Sequence, residues 1–261
     1  MSALCAGPPV ETISPPSPAL LALEGRAWLE FAALLPAMPL LGRAPVGDGH
    51  PVLVLPGWLA SDRSTQALRW FLRDRGYQVY GWKLGRNYGP SGALRTVLAE
   101  RFAALRQRHG RSLSLIGWSL GGIYARELAR RFPRDVRQVI TLASPFRAPT
   151  ASSVARFYPR RRSQARPAPH TPLGAPLPVP ATSLYSRSDG VVAWRSCVEE
   201  GGPLRESVEV RSSHCGMGHH PAVLLVIADR LALPEGAWRP FEARGWGLRR
   251  FVVEPADAFT S

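Results

Sequence analysis

The sequence predicts an α/β fold in which a mostly parallel, doubly wound sheet lies between helices. From His50 onward, short apolar runs typical of buried strands alternate with longer segments whose apolar residues repeat at helical spacing. Parallel strands need such crossover helices between them. The chain has 261 residues, a length that suits one domain of this kind. We expect this domain over residues 49–232, with an N-terminal helical extension over 1–48 and a C-terminal extension over 233–261.

The first half of the predicted domain alternates three strands with three helices. The strands are "PVLVLPG" at 51–57, "YQVYGWKL" at 77–84 and "LSLIGW" at 113–118. The helices are "SDRSTQALRWFLRDRG" at 61–76, "SGALRTVLAERFAALRQRHG" at 91–110 and the stretch that begins at Leu120. Helical spacing predicts that the apolar residues of the first two helices face inward. These residues are Leu68, Phe71 and Leu72, and then Leu94, Val97, Leu98, Phe102 and Leu105.

The second half contains three more predicted strands, "VRQVITLASP", "ATSLYSRSD" and "SVEVRSSH", and a last helix, "PAVLLVIADRLAL". Pro221 suits the first turn of that helix. Residues 147–180 interrupt the alternation with eight prolines and six arginines. Such composition predicts an irregular insertion, and insertions of this length in compact domains are usually functional or disordered. We interpret this segment as a small cap.

The N-terminal extension contains an apolar helical face formed by Leu20, Leu23, Ala27, Trp28, Phe31 and Leu35. We expect this face to pack on the domain, because the polar face has few basic residues; an interfacial helix that touches lipid is the alternative. Glu24, Arg26, Glu30 and two prolines interrupt the apolar stretch, so it does not predict a membrane span. A secretory signal is not expected either, since the chain lacks a basic start and a short apolar core.

The chain is strongly basic, with a formal net charge of +14 that comes from arginine and a single lysine, Lys83. A basic surface attracts phosphate backbones or anionic lipids. No basic helix with interleaved aromatic residues, zinc finger or RNP-type signature occurs, so we expect no nucleic-acid partner. Peripheral contact with an anionic membrane stays open.

Three scattered cysteines, Cys5, Cys197 and Cys215, do not form a disulfide framework, and we expect a reduced, cytoplasmic compartment. Cys215 lies in "SHCGMGHH", where a metal site is one interpretation. A glycine-rich loop after a strand is also a place for a catalytic histidine, and we favour that interpretation. No metal is therefore expected.

The most informative stretch is the pentapeptide from Gly117 to Gly121, which joins a predicted strand to a predicted helix around Ser119. A sharp strand-to-helix turn brings the residues on either side of its apex together, so glycine is needed there. The apex residue is forced into unfavourable backbone geometry, which a fold tolerates only for a gain elsewhere. Here the gain is an exposed hydroxyl beside the N–H of Leu120, which is placed to stabilise an oxyanion at the helix start.

A serine nucleophile needs a base, and the base needs a carboxylate that holds it in the right tautomer. Asp189 follows one predicted strand and His214 follows the next, and the order Ser, Asp, His is that of nucleophile-elbow hydrolases. We therefore predict Ser119, His214 and Asp189 as a catalytic triad. The competing histidines and acids are His219 and His220, one of which we expect to cap the last helix, and Glu199, Glu200 and Glu206.

These motifs resemble the α/β-hydrolase superfamily over about residues 49–232, and "SSHCGMGHHPAV" resembles bacterial lipases and esterases. The resemblance implies hydrolysis of carboxylic esters or related acyl bonds, on small-molecule or lipid substrates, without metal or organic cofactor. It also implies a second oxyanion N–H after "VLVLPGW". Many members have His-Gly where this chain has Pro56-Gly57, so either Trp58 or Leu59 is the donor. The alternatives are an acyltransferase or thioesterase on the same fold, or a non-catalytic membrane-peripheral binding protein.

Four further residues are candidates for substrate binding. Phe146, Phe157 and Tyr158 lie at the start of the cap or within it, where we expect them to line an acyl channel. Arg86, together with Asn87, follows the second strand at the edge where such sheets bind ligands. These two residues either contact a substrate anion or hold their own loop.

Overall fold

The computed structural model describes residues 13–155, 172–243 and 252–253, and these residues contain a seven-stranded sheet in the order β2-β1-β3-β4-β5-β6-β7. Strands β1 to β6 are parallel, and β7 pairs antiparallel with β6. The strands are β1 (Pro51–Leu55), β2 (Gln78–Gly81), β3 (Leu113–Trp118), β4 (Val136–Leu142), β5 (Ala181–Tyr185), β6 (Arg205–Val210) and β7 (Val252–Val253). The predicted α/β fold with a mostly parallel sheet is confirmed.

Helices cover both faces of the sheet. They are α1 (Pro18–Ala22), α2 (Ala27–Ala32), α3 (Leu34–Leu41), α4 (Gln66–Asp74), α5 (Gly92–His109), α6 (Leu120–Arg131) and α7 (Pro221–Leu231). Among the described residues, 3₁₀ turns lie at Leu23–Arg26 and Trp194–Cys197. Within the described ranges, no helix has the length and apolar character needed to cross a bilayer.

Alternating residues of β1 show how the sheet is wound. Val52 and Val54 pack into one apolar cluster with residues of α3, α4 and α7, whereas Leu53 and Leu55 pack into a second cluster with residues of α5 and α6. Successive side chains of a strand point to opposite faces, so the two clusters lie on the two sides of the sheet. All five residues of β1 are buried because both faces are covered, as in doubly wound sheets.

The parallel strands bring several loops to one edge of the sheet. The carboxyl ends of β1, β3, β5 and β6 all point the same way, so the segments after Leu55, Trp118, Tyr185 and Val210 emerge together. Open α/β sheets bind ligands at this edge. All the predicted catalytic residues lie on these segments.

The structure corrects two local predictions and adds one strand. Helix α4 begins at Gln66 and not near Ser61, because Asp62 turns its carboxylate to the backbone N–H groups of Trp82 and Lys83, each 3.0 Å away. Val97 of α5 is exposed, so its predicted inward position is wrong. Strand β7 was not predicted, since two residues are too few to form a recognisable apolar run.

The N-terminal segment packs on the domain, but not through the predicted apolar face. Trp28 and Leu35 are both 80% exposed, and Leu23 and Phe31 are exposed as well. The side that faces the domain between residues 23 and 32 is polar, and its Glu24 is buried. Farther along, Leu34, Ala37 and Leu40 of α3 pack against the core cluster that contains α7. The expected orientation of the apolar face is therefore wrong, because the loops beneath it present backbone N–H groups that donate to the carboxylates of Glu24 and Glu30.

Candidate active site

Ser119 occupies a strained turn between β3 and α6. Its φ is +53° and its ψ is −121°, a combination that L-residues rarely adopt, and its N–H donates to the carbonyl of Leu142 over 2.8 Å. Strain of this kind persists only where the surrounding structure holds it, and it costs about 1–3 kcal/mol. Helix α6 begins at Leu120, directly after the serine, so the first free N–H groups of the helix follow it in the chain. Ser119 is only 6% exposed, so the expectation of an exposed hydroxyl is wrong: the loops at this edge of the sheet cover the residue.

The glycines around Ser119 are required by close backbone contacts. A Cβ on Gly117 would lie 2.3 Å from the Cα of Gly122, and a Cβ on Gly121 would lie 2.3 Å from the carbonyl oxygen of Leu55. The end of β1 approaches the serine itself, since a Cβ on Gly57 would lie 3.2 Å from the Cβ of Ser119. The sequence argument for glycine on both sides of the apex is confirmed.

His214 and Asp189 form a buried pair. The imidazole Nδ1 of His214 lies 2.7 Å from Oδ2 of Asp189, and both residues are buried. The other carboxylate oxygen, Oδ1, accepts from the N–H groups of Val191 and Val192 at 2.8 and 2.7 Å. One carboxylate therefore holds its own turn and orients the imidazole at the same time, which fixes Nδ1 as the protonated nitrogen.

Burial lowers the pKa of His214, but the charge and hydrogen bond of Asp189 and the charge of Glu24 outweigh it. The net pKa is raised above the ordinary histidine value. A histidine with a raised pKa binds a proton readily, which suits a general base.

Ser119 and His214 are linked through the residue that precedes the serine. The indole N–H of Trp118 donates to the carbonyl of His214 over 3.2 Å, and the two rings lie 6.4 Å apart. Among the described hydrogen bonds, none joins Ser119 Oγ to the imidazole. Such catalytic contacts are often long without substrate and shorten when it binds. The structure thus brings Asp189 and His214 together and places Ser119 on the adjoining loop.

The loop after β1 carries the two candidate oxyanion donors, Trp58 and Leu59. The N–H of Leu59 donates to the carbonyl of Asn87 over 2.6 Å. The pairing of Trp58 with Leu120 stays a prediction. Asn87 is fully buried and its side-chain amide donates to the carbonyl of Pro56 over 2.9 Å, so it holds the loop together. Arg86 is exposed and stays a candidate for substrate contact.

The competing acids all have other partners. Glu199 forms a buried ion pair with Arg126 of α6. Glu206 pairs with Arg230 at 3.0 Å, and Glu200 is exposed and lies 3.5 Å from Arg147. None of these carboxylates lies against His214, so they do not compete with Asp189.

The other histidines of this loop also have structural partners. His220 caps α7, with its Nδ1 accepting from the N–H of Ala222 over 3.2 Å, as expected for one of the pair. His219 Nε2 lies 3.0 Å from the carbonyl of Ala27. Within the part of the chain that the structure describes, no group of three His, Cys, Asp or Glu side chains is arranged to hold a metal ion.

Phe146 is the described member of the predicted acyl channel. It is buried, its ring lies 3.9 Å from the guanidinium of Arg126, and it lines a cavity of about 580 Å³ with residues of the cap. Phe157 and Tyr158 lie outside the described residues. The roles of all three in substrate binding stay predictions.

One group of residues at the site is not predicted from the sequence. Glu24, Arg26 and Glu30 of the N-terminal segment contact the loops that carry Asp189 and His214. The signal in the sequence is three charges inside an apolar segment, two of them spaced four residues apart. In the sequence alone, these charges indicate only that the apolar run is interrupted.

Known proteins provide an independent comparison. No family model matches the chain. A pimeloyl-[acyl-carrier protein] methyl ester esterase from Shewanella woodyi is 30% identical over 99 residues, and this match covers 38% of the chain and 38% of the esterase. The chain therefore matches well under half the length of this curated relative.

Solved structures match over a larger share of the chain. Lipase BlEst2 from Bacillus licheniformis is 15% identical with a TM-score of 0.53, and the match covers 73% of this chain and 95% of the lipase. A second match is one of the metagenome-derived lipolytic enzymes LipS and LipT, which is 18% identical with a TM-score of 0.52. This match covers 72% of this chain and 93% of that enzyme. Identities this low show the fold alone. With its mostly parallel sheet, flanking helices and strand-to-helix elbow, the chain has the α/β-hydrolase fold of these structures.

Proposed function

We propose that this protein is a serine hydrolase that cleaves carboxylic esters through Ser119, His214 and Asp189. The observation that carries the proposal is the His214–Asp189 hydrogen bond of 2.7 Å on two loops beside the strained Ser119. A strained nucleophile position and an oriented base are features that a fold retains at functional sites. The named activities of the compared proteins, an esterase and lipolytic enzymes, support the same class of reaction.

The first half of the reaction forms an acyl-enzyme. Ser119 Oγ attacks the ester carbonyl carbon while His214 Nε2 takes the hydroxyl proton, and Asp189 stabilises the resulting imidazolium. The carbonyl oxygen becomes an oxyanion that accepts from the N–H groups of Leu120 and Trp58. Each such donor contributes about 3–4 kcal/mol of transition-state stabilisation in comparable sites. The intermediate then expels the alcohol, which receives the proton from His214.

The second half returns the free enzyme. A water molecule gives its proton to His214 Nε2 and attacks the acyl carbon, and the second tetrahedral intermediate breaks to release the acid. The proton on His214 returns to Ser119 Oγ. An alcohol in place of water would make the same step an acyl transfer, so product analysis with added alcohol separates hydrolase from transferase.

Covalent labelling tests the proposal directly. We expect a fluorophosphonate probe to label the wild-type protein and not Ser119→Ala, and we expect a panel of p-nitrophenyl esters and a methyl ester to be hydrolysed only by the wild type. Ser112→Ala is the matched control, because Ser112 lies at the opposite end of the same strand from Ser119. An unlabelled Ser119 in folded protein, with no ester cleaved, would leave a non-catalytic binding protein as the better interpretation.

We also propose that an anionic lipid surface binds the exposed apolar side chains of α2 and α3. Leu29 is 74% exposed beside Trp28 and Leu35. A cluster of apolar side chains this exposed is unusual on the surface of a soluble protein, and such clusters mark interaction sites. Lipid is favoured as the occupant because the chain carries a net charge of +14, which attracts anionic headgroups.

Vesicle binding tests this second proposal. We expect co-sedimentation with phosphatidylcholine vesicles that contain phosphatidylglycerol, and weaker binding by the double variant Trp28→Ser/Leu35→Ser. Val97→Ser is the control, since Val97 is an exposed apolar residue on α5. Binding that is equal for all three proteins would refute the proposal. A dimer in analytical ultracentrifugation that only the double variant disrupts would assign the surface to a second copy of the chain.

A further inference from the structure

The N-terminal segment from Pro18 to Ala32 has an inverted distribution of polar and apolar side chains. Glu24 is buried, whereas its neighbour Leu23 is 54% exposed. Carboxylates are rarely buried unless they are paired or hydrogen-bonded, and apolar side chains normally take the inner positions. The inversion shows that the surface beneath this segment is one that a carboxylate fits better than a leucine.

Glu24 binds both loops of the His214–Asp189 pair. Its Oε1 accepts from the N–H of Gly190 over 2.8 Å and from the N–H of His214 over 3.0 Å, and its Oε2 accepts from the N–H of Cys215 over 2.9 Å. Gly190 directly follows Asp189 in the sequence. One carboxylate thus connects the residue after the acid with the base itself, through charge-assisted hydrogen bonds to backbone amides.

Arg26 and Glu30 extend this connection. Glu30 accepts from the N–H and the hydroxyl of Ser213 over 2.8 and 2.7 Å, and from the hydroxyl of Ser212 over 3.1 Å. Arg26 donates to the carbonyl of Ser188 over 2.7 Å and to the carbonyl of Ser212 over 3.0 Å. The two side chains also pair with each other at 3.3 Å. Both loops are therefore held from the same side by one helical segment.

We propose that Glu24 is a positioning residue that holds the base and the acid at their working distance, with Arg26 and Glu30 in support. This inference rests on the proposed function of the same site. Strands β5 and β6 pair along Ala181–Tyr185, but beyond their ends the two loops have no ladder to hold them. Loss of Glu24 would leave three backbone amides without their acceptor, and misplacement of a catalytic group by about 1 Å is enough to cost about 100-fold in rate.

The charge of Glu24 provides a second, separable effect. Within the described ranges, the charged groups on the elements packed against His214 include Asp189 from the loop after β5, and Glu24, Arg26 and Glu30 from the N-terminal segment. Asp189 contributes the largest favourable charge and Glu24 adds to it, so both raise the pKa of His214 against the effect of burial. Neutralising Glu24 should therefore lower that pKa, whereas a change in folding stability alone would leave it unchanged.

The full-length Glu24→Gln variant tests the inference, with kcat expressed per fluorophosphonate-labelled site. We expect kcat to fall by about 10- to 100-fold while KM changes by less than about twofold, since positioning acts on the transition state. The acidic limb of the pH–rate profile should move to lower pH. Glu24→Asp should keep the acidic limb near its wild-type position, because it retains the negative charge. Its kcat should still be lower than that of the wild type, because the shorter side chain cannot reach all three backbone N–H groups. Glu100→Gln, an exposed acid on α5, is the control.

Two results would overturn the inference. One is a wild-type kcat and pH profile in Glu24→Gln; the other is a loss of activity that is fully explained by fewer labelled sites. If Glu24→Gln fails to fold, Glu24→Asp provides the test. A kcat per labelled site that is unchanged in Glu24→Asp would contradict the positioning role of Glu24.

Histidine NMR keeps this test separate from the proposed function. The ¹⁵N resonances of His214, assigned by their loss in His214→Gln, report its pKa without any substrate. If the wild type neither labels nor hydrolyses esters, the serine hydrolase proposal fails. The link between Glu24 and His214 then stands if Glu24→Gln lowers the measured pKa, and falls if it does not.

Discussion

Replacing Ser119 with glycine and with alanine separates the strain at the elbow from its chemistry. The φ of +53° and ψ of −121° cost a serine or an alanine about 1–3 kcal/mol but cost a glycine almost nothing. Glycine adds freedom to the unfolded chain, which lowers stability by about 0.4–1 kcal/mol. The free energy of unfolding of Ser119→Gly should therefore exceed that of Ser119→Ala by about 1 kcal/mol.

This gain is measurable by thermal unfolding. For a domain of this size, about 1 kcal/mol corresponds to about 2–4 °C in Tm. We expect Ser119→Ala to unfold within about 1 °C of the wild type and Ser119→Gly to unfold about 2–4 °C higher. Both variants should lose ester hydrolysis, because both lack the nucleophile.

Two results would contradict these expectations. A Tm for Ser119→Gly that equals or falls below that of Ser119→Ala would mean that the turn does not store strain. Ester hydrolysis that survives in Ser119→Ala would mean that Ser119 is not the nucleophile. Far-UV circular dichroism of all three proteins provides the control that the fold is retained.

Three further predictions concern Asp189, Arg126 and Cys215. Asp189→Asn should lower kcat/KM by about 10³- to 10⁴-fold, because the amide favours the wrong tautomer of His214, and its acidic pH limb should move to lower pH, since loss of the carboxylate lowers the pKa of the base. Arg126→Met should reduce the free energy of unfolding by about 3–5 kcal/mol in denaturant titrations, because it leaves Glu199 buried without its partner; the double variant Arg126→Met/Glu199→Gln should recover most of that loss. Cys215 is exposed, but the partial loss of water around its sulfur and the charge of Glu24 raise the pKa of its thiol to about 12. It should therefore react with iodoacetamide at pH 8 at least about tenfold more slowly than free cysteine; an equal rate would show that the pKa of the thiol is not raised.

Most of the sheet was predictable from the chain because its signal is local. The apolar run of β1 is continuous, as expected for a strand covered on both faces, and every residue of β1 is buried. Strands β3 and β4 contain polar residues but are still mostly apolar, and they are buried except for the half-buried Trp118. The helices between them follow from periodicity and end signals. The predicted ends fail where a side chain binds a distant segment. Asp62, for example, accepts hydrogen bonds from the backbone of the loop after β2 and does not begin helix α4.

The candidate site was predictable in identity but not in detail. The order of Ser119, Asp189 and His214 along the chain, each after a strand, is sufficient to nominate them. The engagement of the Leu59 N–H by the carbonyl of Asn87 was not available from the sequence, because it depends on how two distant loops pack.

The chain by itself determined the parallel α/β architecture, the elbow glycines and the three candidate catalytic residues, since strand periodicity, turn sterics and strand-end positions are all properties of nearby residues. Only the tertiary structure decided which side of the N-terminal segment faces inward. Periodicity reports that a segment has an apolar side, but burial depends on the surface it meets, and here that surface carries backbone amides that Glu24 and Glu30 bind.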